Sequence, residues 1–214
     1  ASILPTLWHW ENYLKAWDAA PFAQYYLNSA LMSVGIVVGH VVFDAMAAYA
    51  FARLRFPGRD LLFFVLLAAL MVPTFVTVIP AYIIIAKLQW IDTLAALIVP
   101  RLADVFGIVL LRQSFTAIPV ELEEAARIDG CSRIGVFFRI VIPLAKPALA
   151  TLCIFSFLFA WNDFLWPLLV TNTDSHRTIQ IGLSAFVGRY GTSWNYLMAG
   201  TITATLPSIL MFLL

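Results

Sequence analysis

The chain has 214 residues, of which 62% are hydrophobic and 12% are charged, and its formal net charge is +1. Soluble domains carry about 25% charged residues, so the composition excludes an ordinary soluble domain and indicates an all-α integral membrane protein. A net charge this close to zero gives no sign of a nucleic-acid partner. Cys131 and Cys153 are not spaced as metal ligands or as an evident disulfide pair, so no metal site is expected.

Five apolar segments are long enough to cross a hydrocarbon core of ~30 Å. These predicted spans cover about 27–52, 61–86, 93–114, 144–170 and 194–214. The first 26 residues are rich in Trp and Tyr, which favour the membrane–water interface, and we expect them to lie on the bilayer surface. Pro73 and Pro80 predict a kink or break in the second span, and Pro207 predicts a break in the fifth.

The first span carries four residues that indicate packing against protein. Gly35 and Gly39 give a small-xxx-small face that allows close helix contact. His40 and Asp44 are four residues apart and can bond to each other. An acid at mid-span costs about 2.5–3.5 kcal/mol on insertion scales, so Asp44 is expected to face protein rather than lipid. We expect a packing pair here rather than a proton relay.

Positive charge is concentrated on one side of the membrane. The loops on that side hold Arg53, Arg55, Arg59, Arg112, Arg127, Arg133, Arg139 and Lys146. The other side holds Lys15, Lys87, Arg177 and Arg189, and also Trp8, Trp10, Trp17, Trp90, Trp166 and Trp194. Because cytoplasmic loops are enriched in Lys and Arg, the first group of loops is predicted to be cytoplasmic. Arg101 lies within the third span, where it is expected to pair with Asp104, three residues on.

A polar, helix-forming segment at 119–143 separates the third and fourth spans. Pro119 suits a first helical turn, and Glu121, Glu123 and Glu124 then place negative charge at the positive end of the helix dipole. This arrangement predicts a short helix presented to water.

The same segment contains signals for a bend and a second helix. Glu123 and Arg127 are four apart and are expected to pair. Gly130 is expected to end the first helix through a positive φ, and Ser132 is expected to cap the second. The second helix is predicted to end at Pro143 and to carry one apolar stripe, made of Ile134, Phe137, Phe138 and Val141.

This segment resembles the EAA loop of permease subunits of binding-protein-dependent ABC importers. Glu124-Ala125-Ala126 is followed by Gly130, Ile140 and Pro143 at the spacing of that motif, with Ile142 where leucine is commoner. The resemblance implies that the loop couples the permease to an ATPase. The residues it assigns to coupling are Glu124, Ala125, Ala126, Asp129, Gly130, Ile140 and Pro143.

The resemblance also implies the fold and the partners. Members of this family form MetI-like transmembrane bundles of six helices, so a first helix is expected before Ala1, the other five being visible here. The expected partners are a sister permease in a heterodimer, two ATP-binding cassette subunits and an extracytoplasmic solute-binding protein, in a prokaryotic cell membrane. This chain has no phosphate-binding loop, so it is not expected to be an enzyme or to bind a cofactor, and the ATPase would bind ATP and Mg.

Further motifs are similar to those of the second permease of maltose-type and glycerol-phosphate-type importers. They include Asn28-Ser29, Ala48-Tyr49-Ala50-Phe51-Ala52-Arg53, Met71-Val72-Pro73, Ile79-Pro80-Ala81-Tyr82, Trp161-Asn162-Asp163-Phe164 and Tyr190-Gly191-Thr192. This likeness implies a sugar or sugar-like solute.

Five residues are candidates for the solute pathway: Trp161, Asn162, Asp163, Trp166 and Tyr82. Aromatic faces stack on sugar rings, and Asn or Asp can bond hydroxyls, although helix packing and an outer gate explain the residues after Ala160 equally well. The alternative function is an ion-coupled secondary transporter that uses Asp44 and Asp163. Such a carrier usually has inverted repeats, and none is evident in the sequence.

Overall fold

The computed structural model describes residues 9–188 and 191–213. Trp8, Arg189 and Tyr190, which the sequence analysis used for orientation and resemblance, lie outside these residues. The described helices are α1 (Glu11–Asp18), α2 (Phe22–Arg53), α3 (Arg59–Ala69), α4 (Thr74–Lys87), α5 (Leu94–Arg101), α6 (Val105–Ala117), α7 (Val120–Ile128), α8 (Arg133–Leu144), α9 (Lys146–Trp161), α10 (Leu165–Val170), α11 (Ile179–Ser184) and α12 (Trp194–Leu213). A two-residue hairpin pairs β1 (Val187–Gly188) with β2 (Gly191–Thr192).

Two of these helices, α2 and α12, are long and apolar enough to cross a membrane without interruption. Three bent pairs have the same property when each pair is taken as one span: α3 with α4, α5 with α6, and α8 with α9. By length and composition, up to five segments of the described chain can therefore cross a bilayer. The architecture is the all-α membrane bundle that the composition indicated.

The prolines have different effects on these helices. Pro73 lies in extended backbone between α3 and α4, which meet at 100°, so the predicted break occurs there. Pro80 lies inside α4 without interrupting it. The predicted break at Pro207 is wrong, because α12 continues through that residue. A proline in a helix removes one backbone hydrogen bond, and membrane helices tolerate this loss.

The central element is α2, whose buried side chains bond to backbone groups elsewhere in the chain. Near its start, the Asn28 amide donates to the carbonyls of Ser175 and Arg177, both at 2.9 Å. Ser29 accepts from the Ile179 N–H at 2.8 Å, which holds the start of α11. These bonds matter because an unpaired backbone group costs several kcal/mol away from water.

The glycines of α2 lie against the third span, as the small-xxx-small pattern predicted. A β-carbon at Gly35 would be 2.9 Å from the end of the Ile98 side chain. At Gly39 it would be 2.8 Å from the Leu102 carbonyl oxygen and 2.9 Å from the Leu102 Cα. The backbones therefore approach each other more closely at Gly39 than side-chain packing would allow.

Asp92 joins two loops, after α4 and after α10. Its carboxylate accepts hydrogen bonds from the backbone N–H groups of Asn172 at 2.9 Å and Thr173 at 3.1 Å, and from the Thr173 hydroxyl at 2.7 Å. Burial acts to raise the pKa of Asp92, yet these hydrogen bonds outweigh it and lower the pKa below its usual value.

Alanine substitutions at the two glycines of α2 test this close contact. Both should gain about 1 kcal/mol from helix propensity. Gly39→Ala should nevertheless lose about 1–3 kcal/mol by overpacking against backbone that cannot move aside, whereas the Ile98 side chain can rotate away from Gly35→Ala. Thermal unfolding of the purified protein in detergent should show a lower midpoint for Gly39→Ala only. Equal midpoints for the two variants would contradict the packing described.

Candidate functional site

The helix–bend–helix predicted at 119–143 is present. The N–H of Cys131 donates to the Ala126 carbonyl at 2.9 Å, and the N–H of Gly130 donates to the Arg127 carbonyl at 3.1 Å. This pair of bonds is a Schellman motif, which requires a residue with positive φ, and Gly130 has φ 85°. The Ser132 hydroxyl accepts from the Gly135 N–H at 3.1 Å, so the predicted cap is confirmed.

A buried ion pair attaches this loop to α2. Arg53 Nε lies 2.6 Å from the Glu123 carboxylate, and the two side chains are only 12% and 9% exposed. Arg53 also donates to the Ile118 carbonyl at 2.5 Å. The predicted Glu123–Arg127 pair is therefore wrong. Glu123 faces the bundle while Arg127 faces outward, because tertiary contact with α2 outweighs the weak attraction within an exposed helix.

The outward face of the loop includes α7, the Gly130 bend and α8, and it is called the coupling surface after the role that the resemblance implies for it. Glu124, Ala125 and Asp129 are exposed on it, and Ala126 is half-buried. Large apolar side chains are exposed beside them: Leu122, Ile128, Ile134 and Phe138, with Ile128 86% exposed. An apolar patch with a polar border on a water-facing loop is typical of a protein-binding surface.

The predicted apolar stripe of α8 is divided between two environments. Phe137 and Val141 are buried in the bundle, and the Phe137 ring lies 5.1 Å from that of Tyr49. Ile134 and Phe138 are exposed instead, because the bundle covers only one edge of the stripe. The helix also continues one residue beyond Pro143 before the chain turns by 77° into α9. Ile140 is half-buried near this turn, and Pro143 is exposed.

A second feature is a cavity of about 580 Å³ within the apolar part of the bundle. Its walls come from α2, α4, α9, α10, the end of α3 and the turn between α5 and α6. Polar lining residues are His40, Thr74, Thr77, Arg101, Asp104 and Ser156, and aromatic ones are Phe106, Phe155, Phe159 and Trp166. Drug-sized ligands occupy sites of about 300–1,000 Å³, so the volume suits a small solute.

The charged partners at this cavity differ from those predicted. Arg101 pairs with Asp163 at 2.5 Å rather than with Asp104. Asp104 instead caps α6, accepting from the Phe106 N–H at 2.9 Å. The turn before α6 points the two residues of the expected Arg101–Asp104 pair in different directions, so their spacing in sequence does not bring them together.

His40 and Asp44 also bond elsewhere. His40 Nε2 lies 2.9 Å from the Arg101 carbonyl, and His40 Nδ1 lies 2.7 Å from the Ser156 hydroxyl. Asp44 accepts from the Asp104 N–H at 3.0 Å and is fully buried, so it faces protein as expected. The closest approach of His40 to Asp44 is 3.9 Å, too long for a hydrogen bond. Both side chains thus hold the turn between α5 and α6.

The five candidate pathway residues lie in different places. Trp166 lines the cavity while its indole donates to the Ala96 carbonyl at 2.9 Å, and Asp163 reaches the cavity through Arg101. Trp161 is buried elsewhere and donates to the Ala204 carbonyl. Asn162 is exposed and bonds back to its own helix, and Tyr82 is exposed on α4. Sequence reasoning missed Arg101 as a cavity residue, although an arginine inside a span was the available signal.

Comparisons with known proteins agree with one another. A family model described as "binding-protein-dependent transport system inner membrane component" matches residues 44–214. The arabinooligosaccharides transport system permease protein AraQ of Halalkalibacterium halodurans is 36% identical over 92% of this chain and 70% of its own length. The sn-glycerol-3-phosphate transport system permease protein UgpE of Yersinia pestis is 36% identical over 100% of this chain and 79% of its own length.

A solved structure supports the same fold. A chain from a bacterial ABC transporter involved in the import of the acidic polysaccharide alginate superposes with a TM-score of 0.89. The match covers 98% of this chain and 79% of the other at 23% identity, a level at which the likeness concerns the fold alone.

Neutralising Glu123 tests how the coupling surface is attached. Glu123→Gln leaves the Arg53 charge buried without its partner and should lower the free energy of unfolding by about 3 kcal/mol. Glu121→Gln, on the exposed face of the same helix, is the matched control and should change it by less than about 0.5 kcal/mol. Unfolding in detergent measures both. Equal stability of the two variants would show that the buried pair does not hold the loop.

Proposed function

Because the chain belongs to the family of binding-protein-dependent transport system inner membrane components, we propose that it forms half of the translocation pathway of an ATP-driven importer. The solute is a sugar or a sugar-like molecule, as the names of its relatives suggest. The observation that carries this proposal is the coupling surface, a helix–bend–helix that exposes Glu124 and Ala125 of the EAA motif. The cavity beside Arg101 supports it as a place for solute within the membrane.

The coupling surface suits docking to an ATPase. Glu124 offers an exposed carboxylate that an arginine of the partner can bind through two hydrogen bonds. Ala125 is small and exposed, so the partner can approach the helix backbone closely. Ile128 and Ile134 then supply apolar area that becomes buried on association. ATP and Mg are bound by this partner and not by the chain itself.

The connections of the loop allow it to transmit motion. The Gly130 bend is fixed by its two backbone bonds, and Glu123 is fixed by Arg53. α8 continues past Pro143 into a turn of 77° and then α9, which carries Ser156 and Phe159 on the cavity wall. α8 and α9 therefore act as a lever, which transmits a movement of the ATPase against α7 to the cavity.

The full importer has further partners in this proposal. A sister permease completes the pathway as a heterodimer, two ATP-binding cassette subunits supply energy, and an extracytoplasmic solute-binding protein delivers the solute. The complex lies in the cytoplasmic membrane of a prokaryote, which the chain crosses several times. The ion-coupled alternative is weaker, because Asp163 is paired with Arg101 and Asp44 holds the Asp104 N–H, so each acid has a structural partner.

The orientation can be tested with Cys131, which lies beside the bend and is half-buried. In a Cys153→Ser background, a membrane-impermeant maleimide should label Cys131 in inside-out vesicles but not in intact cells, because the arginine-rich loops are cytoplasmic. Gel shift or mass spectrometry measures the labelling, and Cys131→Ser is the control. Labelling of Cys131 in intact cells would reverse the proposed topology.

Coupling can be tested with Glu124→Ala and Gly130→Pro. The first removes the carboxylate, and the second forces φ to about −65° where the bend has 85°. Both should weaken binding of the ATPase or reduce solute-stimulated ATP hydrolysis roughly tenfold or more, the effect of losing about 1.4 kcal/mol of coupling, while membrane insertion is kept. Asp60→Ala, an exposed acid in the first turn of α3 on the same side, is the matched control.

Three measurements decide this test: solute uptake in proteoliposomes, ATP hydrolysis and co-purification of the ATPase. Normal values of all three in a Glu124→Ala, Gly130→Pro double variant would remove the coupling surface from the mechanism.

A further inference from the structure

The cavity beside Arg101 has a charge pattern that bears on the kind of solute it accepts. The relatives described above are named for arabino-oligosaccharides and for sn-glycerol-3-phosphate, so membership of the family leaves the charge of the solute open. The electrostatics of the cavity wall can therefore distinguish between the two kinds of solute.

Arg101 is the only Lys or Arg among the described residues that line this cavity, and its charge is already compensated. It contacts Asp163 at 2.5 Å, and their side chains are 23% and 12% exposed. The guanidinium carbon also lies 5.9 Å from the ring centres of both Phe159 and Trp166. A guanidinium held by a carboxylate and two aromatic rings has little attraction left for a further anion.

The remaining ionisable lining residues supply no positive charge. Asp104 contributes a second carboxylate, which caps α6. His40 needs no charge to satisfy its two contacts: with its Nε2–H donating to the Arg101 carbonyl, its Nδ1 can accept from the Ser156 hydroxyl as a neutral imidazole does. The wall therefore carries one compensated cation and one further carboxylate.

This pattern disfavours an anionic solute. A phosphate or carboxylate group that entered would lose hydration and meet the Asp104 carboxylate, while the Arg101 charge is already paired with Asp163 and is not free to bind it. A binding site can reject the wrong ligand by presenting it with a charge of the same sign and no counter-ion. A neutral solute avoids this penalty.

The rest of the wall suits an uncharged, hydroxylated molecule. Thr74, Thr77 and Ser156 carry hydroxyl groups at the cavity, and Arg101 and Asp104, which also line it, have donors and acceptors of the kind that sugar hydroxyls bond. Phe155 and Phe159 expose more than half of their surfaces, and aromatic faces of this kind pack against the C–H faces of sugar rings.

We infer that this cavity admits neutral saccharides and rejects phosphorylated or carboxylated ones, because Asp163 neutralises Arg101. The inference rests on the proposed function as an importer, and it adds the charge class of the solute. It also assigns Asp163 a role in specificity: Asp163 keeps the pathway from holding anions.

The experiment uses the complete complex, with its own binding protein, in proteoliposomes. Radiolabelled arabinotriose and maltose serve as neutral probes, and glycerol 3-phosphate and a uronic acid disaccharide serve as anionic probes. The wild-type complex should take up at least one neutral probe with ATP, and a tenfold excess of glycerol 3-phosphate should leave that uptake unchanged.

Variants separate the permease from the binding protein, because all of them share the same binding protein. Asp163→Asn frees the Arg101 charge, so neutral uptake should fall and should become inhibited several-fold by the same excess of glycerol 3-phosphate. Arg101→Gln with Asp163→Asn removes both charges and should lose this inhibition. A purely structural role of Asp163 would lower uptake without creating sensitivity to anions.

Three outcomes would overturn the inference. ATP-driven uptake of either anionic probe by the wild-type complex would contradict it and leave the importer function intact. Anion-insensitive uptake by an assembled Asp163→Asn complex would also contradict it. Absence of ATP-driven uptake for every probe would overturn the proposed function together with the inference. If Asp163→Asn does not assemble, Asp163→Ser, which also frees the Arg101 charge, takes its place in the same assay.

Discussion

The fold depends on the need to satisfy backbone groups wherever a helix is interrupted within a membrane. Two polar side chains of α2, His40 and Asp44, meet this need at mid-span, and two more, Asn28 and Arg53, bond backbone groups of the loops at its two ends. Asn28 bonds the loop before α11, His40 and Asp44 bond the two ends of the turn between α5 and α6, and Arg53 bonds the carbonyl of Ile118. Broken helices survive in lipid only when other groups replace the lost hydrogen bonds. α2 supplies these groups from one continuous rod, and the positions of its polar residues determine where the bundle can bend.

The same rod joins the two candidate functional features. Its middle holds the turn that carries Arg101 to the cavity, and its end holds Glu123 behind the coupling surface. The surface itself keeps Glu124, Ile128 and Ile134 free for a partner. A loop that transmits motion needs two things: a fixed attachment on the inner face of α7 and an exposed outer face for the partner. Without the fixed attachment, a force on the loop would move only the loop itself.

Local features of this structure could be predicted from sequence, and partner choice could not. The Gly130 bend, the Ser132 cap, the Pro73 break and the close contact at Gly39 each depend on a few neighbouring residues or on one side-chain size. Glu123 and Arg101, in contrast, pair with residues on distant elements, and i,i+3 or i,i+4 spacing gave the wrong partner for both. Such helical pairs contribute only about 0.2–0.5 kcal/mol, which buried contacts easily outweigh. The cavity depends on the turn between α5 and α6, so its residues could not be grouped before that turn was known.

Binding of an ATPase to the coupling surface is tested most directly by the reactivity of one position on that surface. Ile128→Cys, in a chain with Cys131→Ser and Cys153→Ser, places a thiol at the most exposed apolar residue of the bend. We expect the rate of maleimide modification to fall at least tenfold when the ATPase subunit is present, and to recover when it is removed. An unchanged rate in the assembled complex would show that the ATPase binds elsewhere and would contradict the account.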